Sequence, residues 1–190
     1  YYMKNYMPNS EFMAYSQPAA GATAPEMWLK TGAVPVILEA AAIGDVMRGK
    51  AIDVQLGAGD TLSTNIVIPV ADADNLDTTW YTLKGIVKPK TGDLQLQVWS
   101  RKAAGTTVLR ALQFTRLTET HEFVTRFQVD TTTEDSLEIF WYSPATGATF
   151  EFGQMILSPG LVPGPFRKKS EFILFDTVLE DTNWTAGAYG

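Results

Sequence analysis

The chain has no cysteine, which removes disulfide scaffolds, thiolate metal sites and cysteine nucleophiles together. Its single histidine, His121, excludes multi-histidine metal centres and leaves any Ser/His/Asp triad resting on one residue. No apolar tract reaches the ~18 residues of a membrane-spanning helix, so membrane insertion is not expected and the chain is read as soluble. Charge is sparse: 19% of residues are charged, the net charge is -6, and the Lys and Arg residues are scattered. The basic face that drives nucleic-acid binding is therefore missing. A phosphate-cradling glycine loop, a zinc-protease helix motif and a nucleophile elbow are also lacking. The opening Tyr1-Tyr-Met-Lys-Asn-Tyr6 has no initiator methionine, basic region or apolar signal core, and leads us to expect a module of a longer polypeptide.

Helical periodicity is also scarce, and short alternating runs take its place. Hydrophobic residues make up 45% of 190 residues, enough for one domain with extensions. Ile52, Val54 and Leu56 alternate with Asp53 and Gln55, as in a half-buried strand. Tyr81, Leu83 and Val87 alternate with Trp80, Thr82 and Lys84. The clearest run sends Leu94, Leu96 and Val98 to one face and Gln95, Gln97 and Trp99 to the other. Further strands are expected over 65–70, 108–114, 122–129, 137–142 and 149–157, with Phe123, Phe127 and Val129 inside and Arg126 and Gln128 outside. Pro35 marks the run from Thr31 to Glu39 as an edge strand, and 40–48 reads as a loop. Gly57-Ala-Gly-Asp60, Pro89-Lys-Thr-Gly92 and Asp130 to Asp135 read as turns. Phe12 and Trp28 are expected core anchors on either side of a small-residue linker, Gln17 to Ala24. Seven to nine such strands indicate an all-β fold, an antiparallel β-sandwich or jelly roll over residues 1–166. Residues 167–190 are expected to be a non-sandwich arm or the start of a following module.

The candidate functional face collects outward positions. Gln95, Gln97 and Trp99 come from one strand, Arg126 and Gln128 from another, and Lys84 and Trp80 from a third; Glu138 and Tyr142 join if a fourth strand aligns. Tryptophan beside planar amides suits a sugar, whose apolar face stacks on the ring while its hydroxyls meet the amides. The competing reading, placed ahead of it, is a contact with a subunit or domain. Asp72, Asp74 and Asp77 form a spaced acidic loop whose oxygens suit a structural calcium, although solvated loop carboxylates are the preferred reading. No catalytic residues and no cofactor are expected. Thr120-His121-Glu122 reads as a hydrogen-bonded strand start rather than a general base.

Three stretches in order carry a family resemblance: Asn9-Ser-Glu-Phe12 with Pro25-Glu-Met-Trp28, then Trp80-Tyr-Thr-Leu83, then Phe150 to Phe166. Together they resemble the carbohydrate-binding-module-like, galactose-binding-like jelly roll. The ending Leu157-Ser-Pro-Gly160 and Val162-Pro-Gly-Pro-Phe166 is similar to the version in bacteriophage tail fibres and tailspikes, with Ser158 where an acidic residue is usual. The resemblance implies a non-catalytic virion module, a part of a fibre or spike serving assembly or host-surface attachment. Its partners would be other virion proteins and copies of itself, a homotrimer first, with a host-surface glycan as a further ligand. The alternative is a carbohydrate-binding module of a secreted polysaccharide-active enzyme.

Overall fold

The computed structural model describes residues 5–7, 28–32, 36–40, 51–68, 80–102, 105–115, 118–131 and 133–162. Within them run ten strands: β1 (Leu29–Lys30), β2 (Val36–Ala40), β3 (Ala51–Leu56), β4 (Thr61–Val67), β5 (Trp80–Gly92), β6 (Leu94–Lys102), β7 (Thr107–Thr115), β8 (His121–Gln128), β9 (Glu134–Tyr142) and β10 (Ala148–Pro159). They form two five-stranded antiparallel sheets, ordered β1-β4-β9-β6-β7 and β2-β3-β10-β5-β8. The fold is the expected all-β sandwich. Phe12, the linker from Gln17 to Ala24, the loop read over 40–48 beyond Ala40, the Asp72, Asp74 and Asp77 loop, Pro163 to Phe166 of the expected ending and residues 167–190 lie outside the described residues.

Alternation decides what each strand buries. Leu94, Leu96 and Val98 of β6 meet Ile52, Val54 and Leu56 of β3 in one core with Leu83, Val87, Phe123 and Phe127. Trp141 of β9 has no exposure. Its ring lies 5.3 Å from Phe150, 5.4 Å from Phe152 and 5.5 Å from Phe123, so one side chain joins the two sheets. Trp28 is buried as expected and meets Phe152 edge-on at 5.5 Å. Gly85 pairs with Phe123 across β5 and β8, and a Cβ at Gly85 would stand 2.6 Å from the Phe123 ring. The missing side chain lets that ring lie over β5 and reach Trp141.

Several strand boundaries differ from expectation: β9 starts at Glu134, inside the turn expected over Asp130 to Asp135, and of the run expected from Thr31 to Glu39 the structure describes strand only from Val36, with Thr31 and Gly32 outside it. The strand expected from Asn65 starts at Thr61. Pro89 to Gly92 is not a turn but the end of β5. Proline is tolerated there because β8 pairs with β5 only as far as Val87, so among the described residues no strand takes a hydrogen bond from that flank at Pro89, and because the β10 register shifts beside it.

β10 is the seam of its sheet. β3 pairs with it from Ala148 to Phe152, after which the register against β5 shifts between Gly153 and Ile156 and Gln154 takes φ 48°. Beyond this bulge the flank vacated by β3 is filled by residues 5–7. Tyr6 N donates to Leu157 O at 2.8 Å, and Asn5 Oδ1 accepts from Leu157 N at 3.0 Å. Tyr6 and Met7 thereby enter the core. Beyond β10, Gly160 N donates to Trp80 O at 2.7 Å, while Thr82 Oγ1 donates to Gly160 O at 2.7 Å. Arg126 Nε then donates to Leu161 O at 2.6 Å, so Gly160 and Leu161 lie over the outer face of β5 toward β8. Near the start of β9, buried Glu134 pairs with Arg110 of β7 and accepts from Asp130 N at 2.9 Å, fixing the turn that follows β8.

Two outcomes follow from this packing. Gly85→Ala forces Phe123 off Trp141 and is expected to cost about 1–3 kcal/mol in urea unfolding; an unchanged midpoint would show that the ring has room. Burial, reinforced by Tyr6, pushes the Tyr81 hydroxyl up from 10.0 to about 12. The unfolded chain therefore ionises first, and the stability held below pH ~10 falls as pH rises toward ~12. Tyr81→Phe is expected to flatten that part of the stability profile, measured by denaturation at stepped alkaline pH.

Candidate functional site

The outer face of the β1-β4-β9-β6-β7 sheet carries the densest functional chemistry among the described residues. Pairing fixes its layout, because directly opposed residues in antiparallel strands share a face. Tyr142 opposes Gln95, Phe140 opposes Gln97 and Glu138 opposes Trp99 across β9 and β6. On the far side of β9, Ser63 opposes Phe140 and Asn65 opposes Glu138; beyond β6, Leu112 opposes Gln97 and Leu109 opposes Trp99. Tyr142, Phe140 and Trp99 thus form an aromatic line running obliquely over two strands, with alternate positions roughly 7 Å apart along each strand. All three are half-buried. Leu109 and Leu112, 43% and 41% exposed, form an apolar rim on β7.

Polar groups lie along the line. Trp99 Nε1 donates to Gln97 Oε1 at 2.8 Å, and Gln97 Nε2 donates to Gln95 Oε1 at 2.8 Å. At the other end Arg101 Nη2 donates to Glu138 Oε2 at 2.6 Å. The hydrogen bond to Glu138, then its charge, raise the Arg101 guanidinium above its ordinary range. This surface offers rings for stacking, amides for hydroxyl groups and one paired cation. It holds no nucleophile and base in mutual contact.

The expected single face divides in two. Gln95, Gln97, Trp99, Glu138 and Tyr142 do come together. Trp80, Lys84, Arg126 and Gln128 do not join them: Trp80 opposes Gln128 and Thr82 opposes Arg126 on the outer face of the other sheet. Equal alternation in two strands says which side faces out but not which sheet the strand joins, and β5 and β8 belong to the sheet opposite β6. Lys84 pairs with Glu122 at 2.7 Å, and Arg126 holds the exit turn. On the same outer face Lys90 binds Glu151 at 2.6 Å and Asp53 at 2.9 Å. Desolvation lowers the pKa of that ammonium, but hydrogen bonds to Glu151 and Asp53 outweigh it and hold it above its usual value.

Phe140, Arg101, Leu109, Leu112 and Asn65 are the site residues that sequence reasoning missed. Phe140 was findable, since 138, 140 and 142 alternate together; the others depend on strand order. Among the described residues no cluster of three or more His, Cys, Asp or Glu side chains is arranged to hold a metal. His121 Nδ1 lies 2.9 Å from Glu119 O, a local bond at a strand start.

No protein-family model and no curated protein sequence matches the chain. Solved structures do. The chain is similar to the enzymatically active domain of tailspike protein 4 from bacteriophage CBA120, with TM-score 0.57 and 11% identity over 82% of this chain. It spans 21% of that tailspike chain. It is similar to the CBM22-1 xylan-binding domain from Paenibacillus barcinonensis, with TM-score 0.50 and 13% identity, covering 85% of this chain and 95% of that one. It is also similar to TmCBM61, solved with β-1,4-galactotriose, with TM-score 0.52 and 14% identity, covering 83% of this chain and 99% of that one. At these identities the likeness defines the fold alone, a jelly-roll β-sandwich.

The Arg101–Glu138 contact is half-exposed, with Arg101 at 48% and Glu138 at 22% side-chain exposure. A double-mutant cycle with Arg101→Met and Glu138→Gln is expected to give a coupling of about 0.2–1 kcal/mol that shrinks in 1 M salt. Coupling that survives salt would place the pair in a drier setting than the face described.

Proposed function

We propose that this chain is a non-catalytic module that binds glycan on the outer face of the β1-β4-β9-β6-β7 sheet. The observation that carries this reading is the aromatic line Tyr142, Phe140 and Trp99 laid beside the Gln95 and Gln97 amides. Rings in a row give a sugar chain successive stacking platforms, and amides at their flank fix its hydroxyls. The fold shared with xylan- and galactotriose-binding modules supports the reading, and those similarities extend over nearly the whole of both modules.

The likeness to tailspike protein 4 supports a second reading, a virion appendage module serving assembly or host-surface attachment. In it the apolar rim of Leu109 and Leu112 would meet another subunit, a homotrimer being the first expectation. The two readings part on whether Trp99 stays open in solution.

Affinity electrophoresis against xylan and β-1,4-galactan tests the first reading. Retardation of the wild-type chain is expected, with Tyr142→Ala and Phe140→Ala each weakening binding about tenfold or more. Gln128→Ala, on the opposite sheet, is expected to bind as wild type. A stable trimer that buries Trp99 and shifts in neither gel would overturn glycan binding in favour of subunit contact.

A further inference from the structure

We infer that Trp99 is a positioning residue: its indole N–H sets a one-way hydrogen-bond line through Gln97 to Gln95, so that the face presents a donor-rich end to a sugar's acceptor-only oxygen. This deepens the glycan-binding reading and rests on it. Indole Nε1 can donate but not accept. At 2.8 Å from Trp99 Nε1, the Gln97 amide must therefore turn its oxygen toward the indole and its nitrogen away. That nitrogen donates to Gln95 Oε1 at 2.8 Å, which in turn fixes the Gln95 amide with its nitrogen outermost. A glutamine pair alone has no such preference, because either amide can flip.

The result is an asymmetry along β6. Gln95 keeps both of its amide N–H groups, and Gln97 keeps one, without a partner among the described residues. Each carbonyl already accepts one bond. The open end lies across from Tyr142, whose ring closes the aromatic line at that end. Every glycoside has weakly accepting ring and glycosidic oxygens, so a donor-rich end beside a stacking platform favours a sugar that adds a strong acceptor, a carbonyl or carboxylate oxygen, on a substituent. On xylan-type chains the carbonyl of an acetyl ester and the carboxylate of a uronic acid supply it. A plain hydroxyl satisfies the same donors while leaving its own proton to be placed.

The test uses the whole chain, with Trp99→Phe to keep a ring and remove the N–H, and Gln95→Glu to replace the donor end by an acceptor. In the ligand-free protein, side-chain amide NMR signals of Gln97 and Gln95 are expected to shift in Trp99→Phe. Unmoved signals would overturn the relay whatever the protein binds. Calorimetry then compares acetylated with deacetylated xylan-derived oligosaccharides, and xylotriose with its glucuronic-acid-substituted form. The wild-type chain is expected to prefer one substituted form by about tenfold, as polar-group recognition allows. Trp99→Phe should bring that preference within about threefold, and Gln95→Glu should abolish it. The pair that shows the preference identifies acetyl or carboxylate as the group taken. Equal wild-type affinity for both members of both pairs would overturn the ligand class. Binding of no probe, with the NMR shifts present, would overturn the glycan reading and the ligand class with it while leaving the relay standing.

Discussion

Trp141 has no solvent exposure and touches rings from β8 and β10 while standing on β9, so the two sheets are held at one indole. Large aromatic contacts of this kind dominate the burial in a small sandwich. The constraint reaches further than the core. A strand has a side-chain period of two, so a residue locked inward commits both neighbours to the outside. Phe140 and Tyr142 face outward because Trp141 faces inward, and a one-residue slip of β9 would bury them and expose the indole. The aromatic line on the outer face is thus a by-product of the packing that stabilises the fold.

The same logic explains the seams. β3 covers only the first part of β10, and residues 5–7 take over its flank with the hydrogen bonds of Asn5 and Tyr6. The exit after Pro159 is fixed by Trp80, Thr82 and Arg126. Both devices spend polar groups of the β2-β3-β10-β5-β8 sheet on closing the module. Its outer face also holds the Lys90 clamp and the Lys84–Glu122 pair.

Much of this was legible in the sequence. The inward and outward residues of β3, β5, β6 and β8 follow from alternation alone, as does the edge position of the strand after Pro35. The core place of Trp28 follows from its size. What alternation cannot carry is strand order. Arg126, Gln128, Lys84 and Trp80 face outward as read, yet β8 and β5 pair with each other and not with β6, so these residues are a sandwich thickness away from Trp99. Pro89 misled for a related reason: its local signal is a turn, whereas β8 pairs with β5 only up to Val87 and the β10 register shifts beside Pro89. The ending is described only as far as Val162: β10, through Leu157 to Pro159, is the last described strand of the sandwich, while Pro163 to Phe166 lie outside the described residues.

The central claim is that ligand meets the Trp99 face and not the opposite sheet. Chemical-shift mapping of the isotopically labelled chain, titrated with xylohexaose and then with β-1,4-galactotriose, tests it most directly. Shifts concentrated on Gln95, Gln97 and Trp99 of β6 and on Phe140 and Tyr142 of β9 are predicted. Shifts centred on Lys84, Arg126 and Gln128, or none with either sugar, would contradict it.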